Sequence, residues 1–226
     1  MSTDIAAATE VHLLNWFDKN RARLVQIAGL LAVGALVIGY YFWHKQQSEV
    51  AASEAVSKIA SGPYAAEAYL KIATEHPSAP AAQRAVVLAA GEYFAADKFP
   101  EAQTQFERVI RDFAEGPFRI QATLGVAACL DAQGKADEAA TRYNDIIQRY
   151  PTDPAATQAR SALARVYEAQ GKFTDALAIY QELARTEAYT SFGLEAGVRL
   201  QALLAAHPEL VPKPLAPAPA LTPTQP

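Results

Sequence analysis

Side chains able to ligate a metal, move a proton or attack a carbonyl are few in this chain, and they are scattered. The four histidines, His12, His44, His76 and His207, fall in four different segments. None lies at ligand spacing from another histidine or from the single cysteine, Cys129. His76 and His207 border the helix-ending prolines Pro77 and Pro208, and all four read as surface or capping residues. Cys129 has no histidine near it in sequence, so it reads as a small buried thiol rather than a nucleophile. Glycine-rich phosphate loops and nucleophile elbows are absent. The expectation is a protein that is not an enzyme, needs no cofactor or metal, and takes no small-molecule substrate.

What remains is recognition by surfaces, and two sets of residues carry it. Arg84, Val87, Gly91 and Phe94, then Gln121, Leu124, Ala128 and Asp131, then Arg165 and Glu168 recur at matching positions along the chain. They are expected to line one groove, apolar near Val87, Phe94 and Leu124 and charged further on, suited to an extended or helical segment of a partner protein. A solvated face is the alternative for the charged half. The second set, Ala28, Ala32, Ala35 and Gly39, follows a 4-3-4 spacing, so that these small residues share one helical face and would let another helix approach closely. Small residues are also simply common in membrane spans.

The second set belongs to Leu24–Trp43, twenty residues without a charged side chain. At about 1.5 Å per helical residue such a run reaches about 30 Å, the hydrocarbon thickness of a bilayer, and predicts a transmembrane helix. Lys19, Arg21 and Arg23 precede it, whereas Lys45 alone follows closely before Glu49 and Glu54. That asymmetry predicts a cytoplasmic N-terminal segment over residues 1–23 and a translocated C-terminal part. A cleaved signal peptide is the competing reading. Its apolar region is shorter and closed by a small-x-small site, whereas this run ends in Tyr40, Tyr41, Phe42, Trp43 and His44, which favours an uncleaved anchor. From His44 to Ala60 there is neither proline nor glycine, so the helix is expected to continue as a stalk as far as Gly62-Pro63.

The first set belongs to a repeat. Alanine recurs at Ala65, Ala102, Ala139 and Ala176, an aromatic at Tyr69, Phe106, Tyr143 and Tyr180, and an aliphatic at Ile72, Val109, Ile146 and Leu183, a period of 37 residues. Ahead of the last three alanines stand a small residue (Ala90, Ala127, Ala164), a large one (Tyr93, Leu130, Tyr167) and a turn (Asp97-Lys98-Phe99, Gly134-Lys135-Ala136, Gly171-Lys172-Phe173). Paired small residues let two antiparallel helices approach closely, while the large ones fill the groove to the next pair. The order Leu163, Ala164, Tyr167, Gly171, Ala176, Tyr180, with Pro77 and Pro151 at the closing position, resembles the tetratricopeptide repeat. The period is three residues longer than the usual 34, no copy holds the first tryptophan, and Ala114 and Ala188 stand where proline is common. Three full repeats are expected, preceded by a divergent one whose first helix is the stalk and closed by a capping helix from about Phe192 to Ala206.

The fold expected is therefore all-α: a transmembrane helix over 24–43, a tetratricopeptide-repeat-like α-solenoid over 44–207, and a disordered proline-rich tail over 208–226, where seven prolines fall in nineteen residues. The net charge of −4, with Lys and Arg scattered among Asp and Glu, leaves no electrostatic footprint for nucleic acid. The juxtamembrane block Trp16-Phe17-Asp18-Lys19-Asn20-Arg21, the Gly- and Ala-rich span and its exit through Tyr41-Phe42-Trp43-His44-Lys45-Gln46-Gln47 are similar to the ancillary subunit family of the Sec translocon. That resemblance implies a single-pass bacterial inner-membrane protein with a periplasmic repeat domain, whose partners are the translocon and periplasmic chaperones and whose role is the handover of exported chains. The proline-rich tail and the regularity of the repeats depart from that family. An adaptor of another envelope assembly, for secretion, division or the cell wall, and a non-catalytic accessory subunit of a membrane enzyme are the alternatives.

Overall fold

The computed structural model describes residues 2–77 and 79–211. The expected tail from residue 212 onward lies outside the described residues, which contain no strand. Helix α1 runs unbroken over Ser2–Ser57. Its portion Lys19–Ser57 includes a window long and apolar enough, by length and composition, to cross a membrane, and none of that window is buried. Val25, Leu30, Leu36 and Trp43 among others stand exposed along it, an apolar surface of a kind that soluble monomers rarely leave uncovered. α1 ends sooner than Gly62-Pro63. The last turn tightens, with the Lys58 and Ile59 amides donating to the Ala55 and Val56 carbonyls at 3.2 and 3.3 Å, and Ile59 turns onto the core.

Eight further α-helices follow: α2 (Ala65–Glu75), α3 (Pro80–Ala95), α4 (Phe99–Asp112), α5 (Arg119–Ala132), α6 (Ala136–Arg149), α7 (Pro154–Ala169), α8 (Phe173–Thr186) and α9 (Ser191–Ala206). Each packs on the next, and the first helices of successive pairs also touch: α1 on α3, α5 on α7, α7 on α9. The result is a solenoid of helical hairpins. The paired small residues of the repeat pattern, Ala90 and Ala102, Ala127 and Ala139, Ala164 and Ala176, are all fully buried. In α4 and α6 the apolar residues recur at i, i+4 and i+7 (Ala102, Phe106, Val109; Ala139, Tyr143, Ile146), giving one buried stripe and one wet face. The first helices α3, α5 and α7 bury more of their circumference because they are packed from several sides.

Each turn inside a pair closes on a left-handed residue: Asp97 (φ 58°), Gly134 (φ 76°) and Gly171 (φ 72°). The following lysine amide, of Lys98, Lys135 or Lys172, reaches back to the carbonyl of Tyr93, Leu130 or Tyr167 at 2.8–2.9 Å, the six-to-one bond of a Schellman motif. Lys98 and Lys172 then lie over the Tyr93 and Tyr167 rings, 5.8 and 5.5 Å from the centroids.

The stalk is fastened by two polar contacts, one to the start of the first full repeat and one to the end of α2. Glu49 on α1 accepts the Ala81 amide through Oε2 at 2.9 Å, and Ser48 Oγ lies 3.1 Å from His76 Nδ1. Ala52 and Val56 of α1 are buried in the same core. At the far end α9 is capped by Thr190, whose Oγ1 accepts the Gly193 amide at 3.3 Å. Pro208–Leu210 form a 3-10 turn rather than the extended chain expected from Pro208. The ring of His207 stacks on Phe173 at 3.7 Å and Leu210 packs on the α8–α9 core, which holds the turn in place.

Candidate partner-binding face

The expected groove divides into a half that is filled and a half that is open. Arg84 and Gln121 are exposed, whereas Val87 and Leu124 are core residues, 6% and 8% exposed. This corrects the expectation of free apolar surface at those two positions. They sit where one first helix lies against its neighbours, and both belong to the continuous hydrophobic core. Phe94 is half-buried, edge to face with Phe99 at 5.2 Å. Its ring helps close the α3–α4 hairpin.

The open half lies across α5, α7 and α9. The 37-residue period puts Asp131 and Glu168 at the same position of successive first helices, and Arg165 one turn before Glu168. Arg165 Nη1 lies 3.6 Å from Glu195 and 3.3 Å from Ser161 Oγ. Glu195 also accepts Arg199 Nε at 3.1 Å. Arg199 Nη1 in turn lies 3.5 Å from Glu168 Oε2, which accepts the Tyr180 hydroxyl at 2.8 Å. The result is an open chain of alternating charge, Arg165–Glu195–Arg199–Glu168, each member between about a third and a half exposed. Ion pairs this exposed contribute about 0–1 kcal/mol to stability. Their value here is orientation: two guanidinium groups and two carboxylates are held at fixed places on a surface and can exchange partners at little cost.

Asp131 stands at the edge of this chain without an ion-pair partner within 4 Å among the described residues. Burial pushes its carboxyl above the usual range, and the charge of Arg165 partly offsets that. Below the face, burial also raises Tyr143, with Asp131 adding to the effect. Tyr180 is raised by burial and by its bond to Glu168, and so stays a neutral donor that fixes the Glu168 carboxylate. Chemically the face can pair with lysine, arginine or amide groups at Asp131 and Glu168, and with carboxylates at Arg165 and Arg199. Beside it, Leu194 and Val198 of α9 are 65% and 71% exposed, which adds an apolar strip to the charged one.

Glu195, Arg199 and the Tyr180 hydroxyl were not legible as site residues. The i,i+4 pair of opposite charges on α9 was the signal available for the first two. Cys129 is fully buried and burial pushes its thiol up to about 11, in keeping with a core residue. Among the described residues no group of three His, Cys, Asp or Glu could hold a metal ion. Ala28, Ala32, Ala35 and Gly39 are exposed on α1, and a Cβ added at Gly39 would meet nothing within 4 Å.

Comparison with known proteins gives the same architecture. Crystal structures of the nearly identical TPR-like repeats of a Podosopora anserina kinesin light chain are similar at 18% and 19% identity. They cover 74% of this chain and 88% and 87% of theirs, with TM-scores of 0.53 and 0.54. BtubC (BKLC) from P. vanneervenii is similar at 17% identity over 72% of this chain and 66% of its own, with a TM-score of 0.50. At such identities these likenesses establish the fold alone. No curated protein matches. The tetratricopeptide repeat family matches residues 130–190, and the tetratricopeptide repeat-like domain family matches residues 15–143, a stretch that takes in the apolar run, the stalk, the first full repeat and the second as far as the middle of α6. With more than half of its length matched, the chain belongs to the tetratricopeptide repeat-like domain family.

Proposed function

We propose that this protein is a membrane-anchored, non-catalytic interaction scaffold whose partner binds across α5, α7 and α9. The observation that carries the reading is the single helix α1, which joins an exposed apolar run to the repeat core through Glu49–Ala81 and Ser48–His76. Tetratricopeptide-like repeats are built for protein–protein contact, and their stacked first helices offer a long surface with no catalytic group. The anchor confines that surface to the membrane and raises its effective concentration for partners working there.

The finer reading is an ancillary factor of the Sec translocon, N-terminus in the cytoplasm and repeats in the periplasm of a bacterial inner membrane, assisting periplasmic chaperones and the handover of exported chains. What supports it is the excess of Lys19, Arg21 and Arg23 over Lys45 and the Trp16–Arg21 and Tyr41–Gln47 blocks around the span. Extraction in mild detergent followed by identification of co-purifying proteins tests it. Translocon subunits should be recovered, and the Arg165→Gln, Glu168→Gln double variant, which removes both charges but keeps an acceptor for the Tyr180 hydroxyl, should lose partners while its Tm falls by no more than about 4 °C, as expected when exposed pairs are lost. Recovery of a different envelope machine without translocon subunits refutes the translocon role. Undiminished recovery by the double variant refutes the α5–α7–α9 face. A C-terminal reporter active only in the cytoplasm should stay silent, and activity there reverses the orientation.

A further inference from the structure

The register between α1 and the repeats fixes which edge of the solenoid faces the base of the stalk. Glu49 meets Ala81 at the start of α3, while Gly62 and Pro63, beyond the end of α1, share a cleft with Tyr93 and Lys98 at the end of α3. α1 and α3 therefore run parallel. The start of α3 is likewise close to the start of α5, where Gly116 faces the Gln83 side chain. Arg165–Glu195 and Glu168–Arg199 pair in ascending order, so α7 and α9 are parallel as well. The turns that lead from each pair to the next, around residues 76–77, 113–118, 150–153 and 187–190, thus share the edge from which α1 rises. The turn lysines Lys98, Lys135 and Lys172 share the opposite edge.

Height follows from helix geometry. Ser48 and Glu49, the residues that bond His76 and Ala81, lie five and six residues past Trp43, about 8–9 Å along a helix. The headgroup layer beyond the hydrocarbon is about 5–8 Å thick, so the near edge stands at its outer boundary.

The chemistry of that edge suits such a place. Tyr189 in the last turn is wholly exposed, at 102%, while Phe113 and Tyr150, at the helix-ending positions of α4 and α6, are half-buried, Tyr150 with one side on the core. Aromatic rings of this kind concentrate at membrane–water interfaces. Between the second and third of these turns, Arg119, Arg142 and Arg149 line one cleft with Asp145 and Tyr150. None of the three arginines has a carboxylate within 4 Å among the described residues. The other acids of the edge are engaged: Asp112 with Arg111 and Arg108, Asp153 with the Ala155 amide, Glu187 with Thr157. Glu115 stays exposed on its turn.

We infer that this edge rests on the bilayer that α1 crosses, its turn aromatics in the headgroup layer and the Arg119–Arg142–Arg149 cleft holding the phosphate of an anionic lipid. The inference rests on the membrane-anchored reading above. It makes the repeat domain a surface-hugging body whose charged face, near the ends of α5 and α7, stands toward the far edge, about 17–21 Å along α7 from the contact.

The test uses the full chain with one added cysteine, since buried Cys129 does not compete for label: Thr152→Cys or Tyr189→Cys on the near edge, Lys135→Cys on the far edge, Leu31→Cys in the apolar run. Each is labelled with bimane and reconstituted into phosphatidylethanolamine/phosphatidylglycerol vesicles. Headgroup-nitroxide lipid should quench positions 152 and 189 at least twofold more than position 135, and acyl-chain nitroxide should quench position 31. Equal quenching at the two edges, with position 31 quenched, overturns the edge contact and leaves the anchor standing. An unquenched position 31 overturns the anchor itself. Replacing Arg119 and Arg149 by glutamine should remove the gain in near-edge quenching on going from phosphatidylcholine to phosphatidylglycerol vesicles, and an undiminished gain overturns the phosphate role of the cleft.

Discussion

Replacing Glu49 by alanine is the sharpest test of how the stalk is joined to the repeats. The substitution removes the acceptor of the Ala81 amide at 2.9 Å and of Ser53 Oγ at 3.0 Å. α3 has no side-chain cap of its own, because its N-cap residue is Ala79. Glu49 therefore does from a neighbouring helix what Asp153, at the equivalent position two repeats on, does for α7 through its bond to the Ala155 amide at 2.8 Å. Loss of an N-cap costs about 1 kcal/mol, and a carboxylate at a helix N-terminus adds about 0.3–1 kcal/mol. The Ala81 contact is part-buried, so water replaces it incompletely and the expected loss is about 1–2 kcal/mol. For a domain of this size that lowers Tm by about 2–8 °C. Thermal unfolding of the full chain in detergent measures the loss, and hydrogen exchange of the amides at 81–83 localises it. Ala79→Ser in the same variant supplies a cap in cis and should restore both readouts. Unchanged exchange in the first turn of α3, or failure of the serine to restore it, refutes the clamp.

Four further outcomes follow from single sites. A Cβ at Gly125 would stand 2.6 Å from the Phe106 ring, so Gly125→Ala sets about 1–3 kcal/mol of overpacking against about 1 kcal/mol of helix propensity and should lower the denaturant midpoint. Gly91→Ala, with nothing within 4 Å of the new atom, should raise that midpoint, and the same sign at both sites would contradict the packing. Asp97 holds the left-handed position that glycine holds in the next two repeats, so Asp97→Gly should stabilise by roughly 0.5–1 kcal/mol, checked by urea unfolding. Cys129, Tyr143 and Tyr180 all have folded values raised by burial. The stability they contribute is therefore complete below their unfolded values and is lost as pH rises through the folded ones. Tm should hold to about pH 8.5 and then fall, and for Cys129, raised to about 11, Cys129→Ala should remove part of the slope between those values.

The hairpin positions were legible because burial restricts residue type: small residues stand at the fully buried Ala127 and Ala139, and a large one fills the space at Tyr143. The register of Asp131 and Glu168 was legible for the same reason. Periodicity names equivalent positions, however, and not whether a neighbour covers them. Val87 and Leu124 share the groove register but lie under adjacent helices. Glu195 and Arg199 escaped because α9 has no successor and leaves the period, and the Tyr180 hydroxyl because its partner Glu168 is on the other helix of the pair. Glu49 could be read only as a charge behind the apolar run, since its bond to Ala81 crosses 32 residues.

The unbroken course of α1 from the apolar run into the first repeat makes the protein a lever. Five parallel first helices, α1 to α9, stepped at about 8–10 Å, set the far face about 32–40 Å from the axis of α1. In a bilayer, a 10° change in the tilt of the span, within the range by which helices adapt to thickness, would then raise or lower α9 by about 6–7 Å. Local membrane thickness would in this way be converted into the height at which Arg165, Glu168 and Arg199 meet a partner.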